Sequence, residues 1–159
     1  MIFISLTLQI LDYLPPVNQT QNVVMKKIFI SGLLAGVVLL LISFAALYLT
    51  IYLFPGIADE YYSPTYRDDS DRLWLYFLHP FVMAITFSWF WENFKSKIEG
   101  GLVYRGVWVG LIYGAVALLP AMWMTFSALN VSLQMVVSWY AYGLFQACIA
   151  GLIFAKTNP

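Results

Sequence analysis

The sequence predicts an all-α, transmembrane four-helix bundle with both termini on the cytoplasmic side. Three observations lead there. Apolar and aromatic residues make up 62% of the 159 positions and charged residues only 10%, well outside the usual balance of about half apolar and a quarter charged. Four long apolar stretches, 27–54, 73–94, 102–126 and 131–155, each exceed the ~20 residues that carry a helix across a hydrocarbon core about 30 Å thick. Cations gather at alternate ends of these stretches: Lys26, Lys27, Lys95, Lys97, Arg105 and Lys156 fall on one side, Arg67 and Arg72 on the other. That six-to-two bias puts the first side in the cytoplasm.

The N-terminal 24 residues stand apart. Residues 1–14 are apolar with one acid, Pro15-Pro16 stops a helix, and 18–22 are polar. Met25-Lys26-Lys27 before an apolar run looks like a natural start, so 1–24 reads either as an extension from an upstream initiation codon or as a short interfacial helix. A cleaved signal peptide fits poorly, since the apolar run continues to Phe54, beyond a 7–15-residue signal core. Residues 25–159 form the transmembrane domain.

Past Lys27, which opens the first, the first and fourth stretches hold no Asp, Glu, Lys or Arg. Glu92 lies near the end of the second and Arg105 near the start of the third, where long side chains reach the headgroups. The apolar runs do not alternate, which argues against barrel strands. Between the first two spans an outer loop, 55–72, is rich in Tyr, Asp and Pro. Its end should form a short helix near 70–78 capped by Asp69 or Ser70. Gly100-Gly101 separates the second and third spans, and Asn130 is placed to cap the fourth. Pro120 should kink the third span and, with Trp123, shape an outward opening.

Small residues recur every four positions: Gly32 and Gly36; Gly106, Gly110 and Gly114; Gly143, Ala147 and Gly151. At about 100° per residue each set forms one stripe that lets backbones approach, in a solvent that gives no hydrophobic drive between helices. These stripes are expected to join the first, third and fourth spans; the competing use is a homodimer interface. The second span has no glycine and carries Trp74, Tyr76, Phe77, Phe81, Phe87, Trp89, Phe90, Trp91 and Phe94. Tryptophan and tyrosine near its ends suit the interfacial belt.

His79, the one histidine, precedes Pro80 within the second span. An ionisable group in such surroundings suggests a ligand contact or proton acceptor, against the plainer reading of a side chain bonded to a nearby carbonyl. Metal binding would need Asp59 or Glu60 to reach it. Gln134, Ser138, Tyr142 and Gln146 follow each other at intervals of four along the fourth span. They are either interhelical glue or, with His79, Trp89 and the aromatics of the second span, the polar points of a small-molecule pocket.

No acid or base lies at the bilayer centre, which removes the usual proton- or sodium-coupling groups. No serine–histidine–acid set, phosphate loop or paired-histidine motif occurs. A single cysteine, Cys148, allows no intrachain disulfide, and eight basic residues against eight acidic leave no field to recruit nucleic acid. No cofactor is implied.

With Met25-Lys26-Lys27 leading a glycine-containing first span and Gly106/Gly110/Gly114 in the third, residues 25–159 resemble small, uncharacterised four-span integral membrane proteins of prokaryotes. The resemblance implies a multi-pass protein of the cell membrane and carries no activity or catalytic residue. The expected function is a non-catalytic packing or scaffold protein, or one that binds a small lipid-like or aromatic molecule. The alternatives are a small dimeric carrier or channel, with His79, Gln134 and Gln146 as its polar path, and a lipid-modifying enzyme using His79.

Overall fold

A computed structural model describes residues 17–62 and 73–159. Its elements are α1 (Val17–Leu53), α2 (Pro55–Glu60), α3 (Leu73–Phe94), a 3₁₀ turn (Lys95–Lys97), α4 (Leu102–Tyr113), a π turn (Gly114–Leu118), α5 (Leu119–Ala128) and α6 (Leu133–Thr157). No strand occurs among the described residues. Segments 1–16 and 63–72 lie outside them, and with them the interfacial helix expected at the N-terminus and the helix start expected near residue 70.

Three helical stretches are long and apolar enough to cross a membrane: Gln21–Leu53, Leu102–Ala128 and Leu133–Thr157. Helix α3, the second of the four expected spans, has the length, 22 residues, but is not among them. Helix α1 also begins earlier than the apolar run suggests, taking in the polar stretch 18–22 and running without a break through Lys26 and Lys27.

Large apolar side chains cover the outside of the molecule as well as its core. Ser31, Ser88, Gln146 and Asn158 are buried, while Leu41, Val116, Leu133 and Val137 face outward. The long helices lie side by side in the order α3, α1, α6, α4–α5. Trp91, Phe154, Leu39, Val109, Ala147 and Ala150 fill the core between them.

Backbone contact joins α4 to α6. A β-carbon on Gly106 would sit 2.7 Å from the Leu152 nitrogen, and one on Gly110 2.7 Å from the Cys148 Cα. One on Gly151 would collide with the Gly106 carbonyl oxygen. Gly114 and Gly143 continue the seam against the side chains of Leu144 and Leu118, and Ala147 is fully buried. Gly32 and Gly36 behave otherwise than the sequence suggests. They meet Ile85 and Phe81 of α3, at 2.9 and 2.6 Å from an added β-carbon, and face neither the third nor the fourth span. Helix α3 brings no glycine; its Ala84 and Ser88 are fully buried, and the glycines of its partner allow the close approach. Beside this contact the Ser31 and Ser88 hydroxyl oxygens lie 2.6 Å apart, and Ser88 donates to the Ile28 carbonyl at 3.0 Å.

The helix ends follow local chemistry. Proline at 120 has no N–H and its ring crowds the carbonyl four residues back; the chain answers by widening into the π turn immediately upstream, with Pro120 in the first turn of α5. Gly100, at φ 123°, takes the left-handed conformation that turns the chain from the 3₁₀ turn toward α4. The cap of α6 is Ser132, not Asn130: the Ser132 hydroxyl accepts from the Met135 N–H at 3.1 Å, while Asn130 lies outside the first turn. Glu60, at the end of α2, completes the cap by accepting from the Ser132 N–H and hydroxyl, both at 2.7 Å.

Two predictions follow from this packing. Gly151→Val should lower the unfolding temperature in detergent clearly, since it forces apart backbones in contact, with overpacking costs of about 1–3 kcal/mol; Gly56→Ala, which meets nothing within 4 Å, should not. The backbone N–H of Ser132, then its hydroxyl, holds the Glu60 carboxyl below its ordinary pKa. A depressed acid stabilises the fold above its unfolded pKa and loses that contribution as pH falls through the folded value. Thermal unfolding followed from neutral to acid pH should therefore show an acid-side loss that is smaller in Glu60→Gln.

Candidate ligand groove

Because α3 is held by α1 and α4 by α6, the second and third expected spans stand apart. Between them runs a groove of about 830 Å³, lined from α3 by His79, Val82, Met83, Thr86, Phe87, Trp89, Phe90 and Phe94. The opposite wall is Trp108, Ile112, Tyr113, Val116 and Ala117, and Lys97 and Ile98 lie at one end. Volume and composition match the usual small-molecule site, apolar with a few polar points.

The floor is a set of interlocked rings. Phe87, buried, meets Phe154 of α6 edge-on at 5.6 Å and Tyr113 of α4 at 5.1 Å. Phe90 stacks on Phe94 at 4.5 Å and so extends the α3 wall toward Lys97. Offset and edge-on contacts of this kind fix ring orientation, so the wall is largely preformed. Val116 and Ala117 come from the π turn, a device frequent at functional sites because it redirects side chains without ending the helix.

Polar atoms are sparse along this surface. His79 stands toward the α2 end and Lys97 at the other, with the hydroxyls of Thr86 and Tyr113 between. None of the four makes a hydrogen bond or ion pair among the described residues. That isolation limits the chemistry. Among the described residues no carboxylate bonds His79, Glu60 is committed to Ser132, and no group of three His, Cys, Asp or Glu could hold a metal ion. The arrangement can bind and orient an apolar molecule, with hydroxyl and imidazole groups to meet its polar atoms.

The five residues expected to form one pocket are divided by the fold. His79 and Trp89 line the groove. Tyr142 and Gln146 face away from it toward α1, where the Tyr142 hydroxyl and Gln146 Nε2 donate to Ser43 Oγ at 2.8 and 3.2 Å. Ser43 in turn donates to the Leu39 carbonyl at 2.8 Å. Gln134 is exposed near the start of α6. The reason is geometric: the glycine face of α6 is committed to α4, which turns the adjacent polar stripe onto α1. Of the two readings of that stripe, interhelical glue describes Tyr142 and Gln146. Sequence reasoning missed the α4 wall. Its signal was the face of α4 roughly opposite Gly110, where Trp108 and Ile112 fall.

At the Lys97 end a second polar cluster ties the helices together. Trp91 Nε1 donates to the Asn158 carbonyl at 2.8 Å, and the Asn158 side-chain amide donates to Glu92. Lys95 donates to Asn158 Oδ1 at 2.8 Å and pairs with Glu92 at 3.2 Å. The Arg105 guanidinium lies 5.1 Å over the Trp91 ring and donates to the Lys95 carbonyl at 3.3 Å.

No family model, curated protein or solved structure matches the chain. What the groove can do therefore rests on its own geometry.

Ser43→Ala should remove the shared acceptor of Tyr142 and Gln146 and lower stability by about 0.5–2 kcal/mol, the range for interhelical hydrogen bonds in lipid. Pairing it with Gln146→Leu in a double-mutant cycle should show the two losses to be non-additive, while binding in the groove stays unchanged.

Proposed function

We propose that this chain is a multi-pass protein of the cell membrane that holds a small hydrophobic molecule in the groove between α3 and α4–α5, without catalysing a reaction on it. The groove carries the reading: an apolar trough with preformed aromatic walls and polar groups that make no hydrogen bond or ion pair among the described residues.

The membrane setting is supported by three stretches of sufficient length and hydropathy and by outward-facing apolar side chains on α1, the π turn and α6. Helix α3 completes the set as a fourth span. Its length is sufficient, its one charge among 73–94 is Glu92 near the end, and its tryptophans and tyrosine suit the interface. Four spans and the six-to-two cation bias support a cytoplasmic location for both termini.

The carrier alternative has less support. The path expected for it used His79, Gln134 and Gln146; of these only His79 lines the groove, and Gln146 is buried against Ser43. The enzyme alternative asks His79 to act without an orienting acid among the described residues.

A fluorescent fatty-acyl probe titrated into the purified protein in detergent should bind saturably. Ile112→Trp, which fills the groove from the α4 wall, should weaken binding at least tenfold while leaving the unfolding temperature near that of the unaltered protein. Binding no greater than to an unrelated membrane protein, or insensitive to Ile112→Trp, would refute the reading. Topology has its own check: in a Cys148→Ala background, an impermeant maleimide should label Tyr62→Cys in intact cells and Glu99→Cys only after lysis.

A further inference from the structure

We infer that the cytoplasmic half of the groove takes one acyl chain of an anionic inner-leaflet phospholipid, whose headgroup phosphate pairs with Lys97. This rests on the groove being a ligand site and adds which ligand it selects.

The argument begins with the cations at that end. Lys95 is committed to Glu92 and Asn158, and Arg105 to the Trp91 ring and the Lys95 carbonyl. Lys97 is the one cation that lines the groove, and it has neither an ion pair nor a hydrogen bond among the described residues. Glu99, the nearest acid along the chain, is exposed and does not line the groove. The groove mouth thus offers a lone positive charge at the depth where lipid phosphates lie, next to an apolar trough.

Length and lining agree with that occupant. From Lys97 back to Phe87 is roughly 15 Å of helix, about half of a 30 Å hydrocarbon core and so one leaflet. Over that distance Phe94, Phe90, Trp108 and Ile112 present only rings and alkyl groups, apart from the indole nitrogen of Trp108. The hydroxyls and imidazole of the groove begin at Thr86 and Tyr113 and continue outward to His79. A chain entering beside Lys97 therefore meets hydrocarbon-like walls until it reaches the middle of the bilayer. A neutral, zwitterionic lipid could fill the trough equally well, but its headgroup would gain less from Lys97. One such contact at a membrane surface corresponds to roughly a fivefold preference.

The test uses the full chain in neutral detergent with pyrene-labelled phosphatidylglycerol and pyrene-labelled phosphatidylcholine, each titrated against the unaltered protein, Lys97→Gln, Lys97→Arg and Ile112→Trp. Expected is about fivefold tighter binding of the anionic probe, reduced to parity by Lys97→Gln and by high salt, kept by Lys97→Arg, with Ile112→Trp weakening both probes. Equal binding of the two probes to the unaltered protein, or a preference that survives Lys97→Gln, overturns the headgroup assignment and leaves the groove reading standing. Failure of both probes to bind overturns both, as does a dimeric mass in which a second copy closes the groove.

Discussion

The contact of backbone on backbone between Gly106 and Gly151 governs the arrangement of this molecule. Small residues on both α4 and α6 let the two helices approach without intervening side chains, where dispersion and carbonyl contacts replace a hydrophobic drive that lipid would not supply. Helix α3 has no glycine and meets α1, where Gly32 and Gly36 leave room for Ile85 and Phe81. Each helix of the outer positions is thereby paired once. What remains between α3 and α4–α5 is space, and large rings face it from both sides.

Polar groups secure the ends of that space. At one end the terminal turn of α6 is bound to α3 through Trp91, Glu92 and Asn158, all close to the mouth beside Lys97. At the other end α2 is pinned to the start of α6 by Glu60 on Ser132. Between them the Ser31–Ser88 and Ser43–Tyr142–Gln146 contacts hold α1 to α3 and to α6. The Ser31–Ser88 and Trp91–Asn158 bonds are buried, so leaving those unmade would be costly. They fix the groove walls and leave the polar atoms of His79, Thr86, Tyr113 and Lys97 without a hydrogen bond or ion pair among the described residues.

Helix positions were legible in the sequence because hydrophobic run length is a local property. The ends of α3 at Phe94 and of α6 at Thr157, and the turn through Gly100, follow from residues near each boundary. The small-residue stripes were equally visible, but a stripe states only that something packs there. Which helix meets Gly32 and Gly36 depends on what every other helix can offer, and that is settled by the whole assembly. The same limit separated Gln146 from His79. Both were recognisable as polar groups in apolar surroundings, yet the rotation of α6 that takes Gln146 to Ser43 is set by the distant Gly106–Gly151 contact. Helix α3 shows a different limit: its length and aromatic content fit a span, but they fit a buried helix as well.

The central claim is that α3 and α4 stand apart in a bilayer and expose ring-lined walls to hydrocarbon. Quenching by brominated acyl chains tests it most directly, using variants that retain a single tryptophan at 108, on the groove wall, or at 91, fully buried beside the same end. An open groove requires strong quenching of Trp108 and little of Trp91. Equal shielding of the two would show that protein fills the gap, and emission from Trp108 typical of water would show that no bilayer surrounds it.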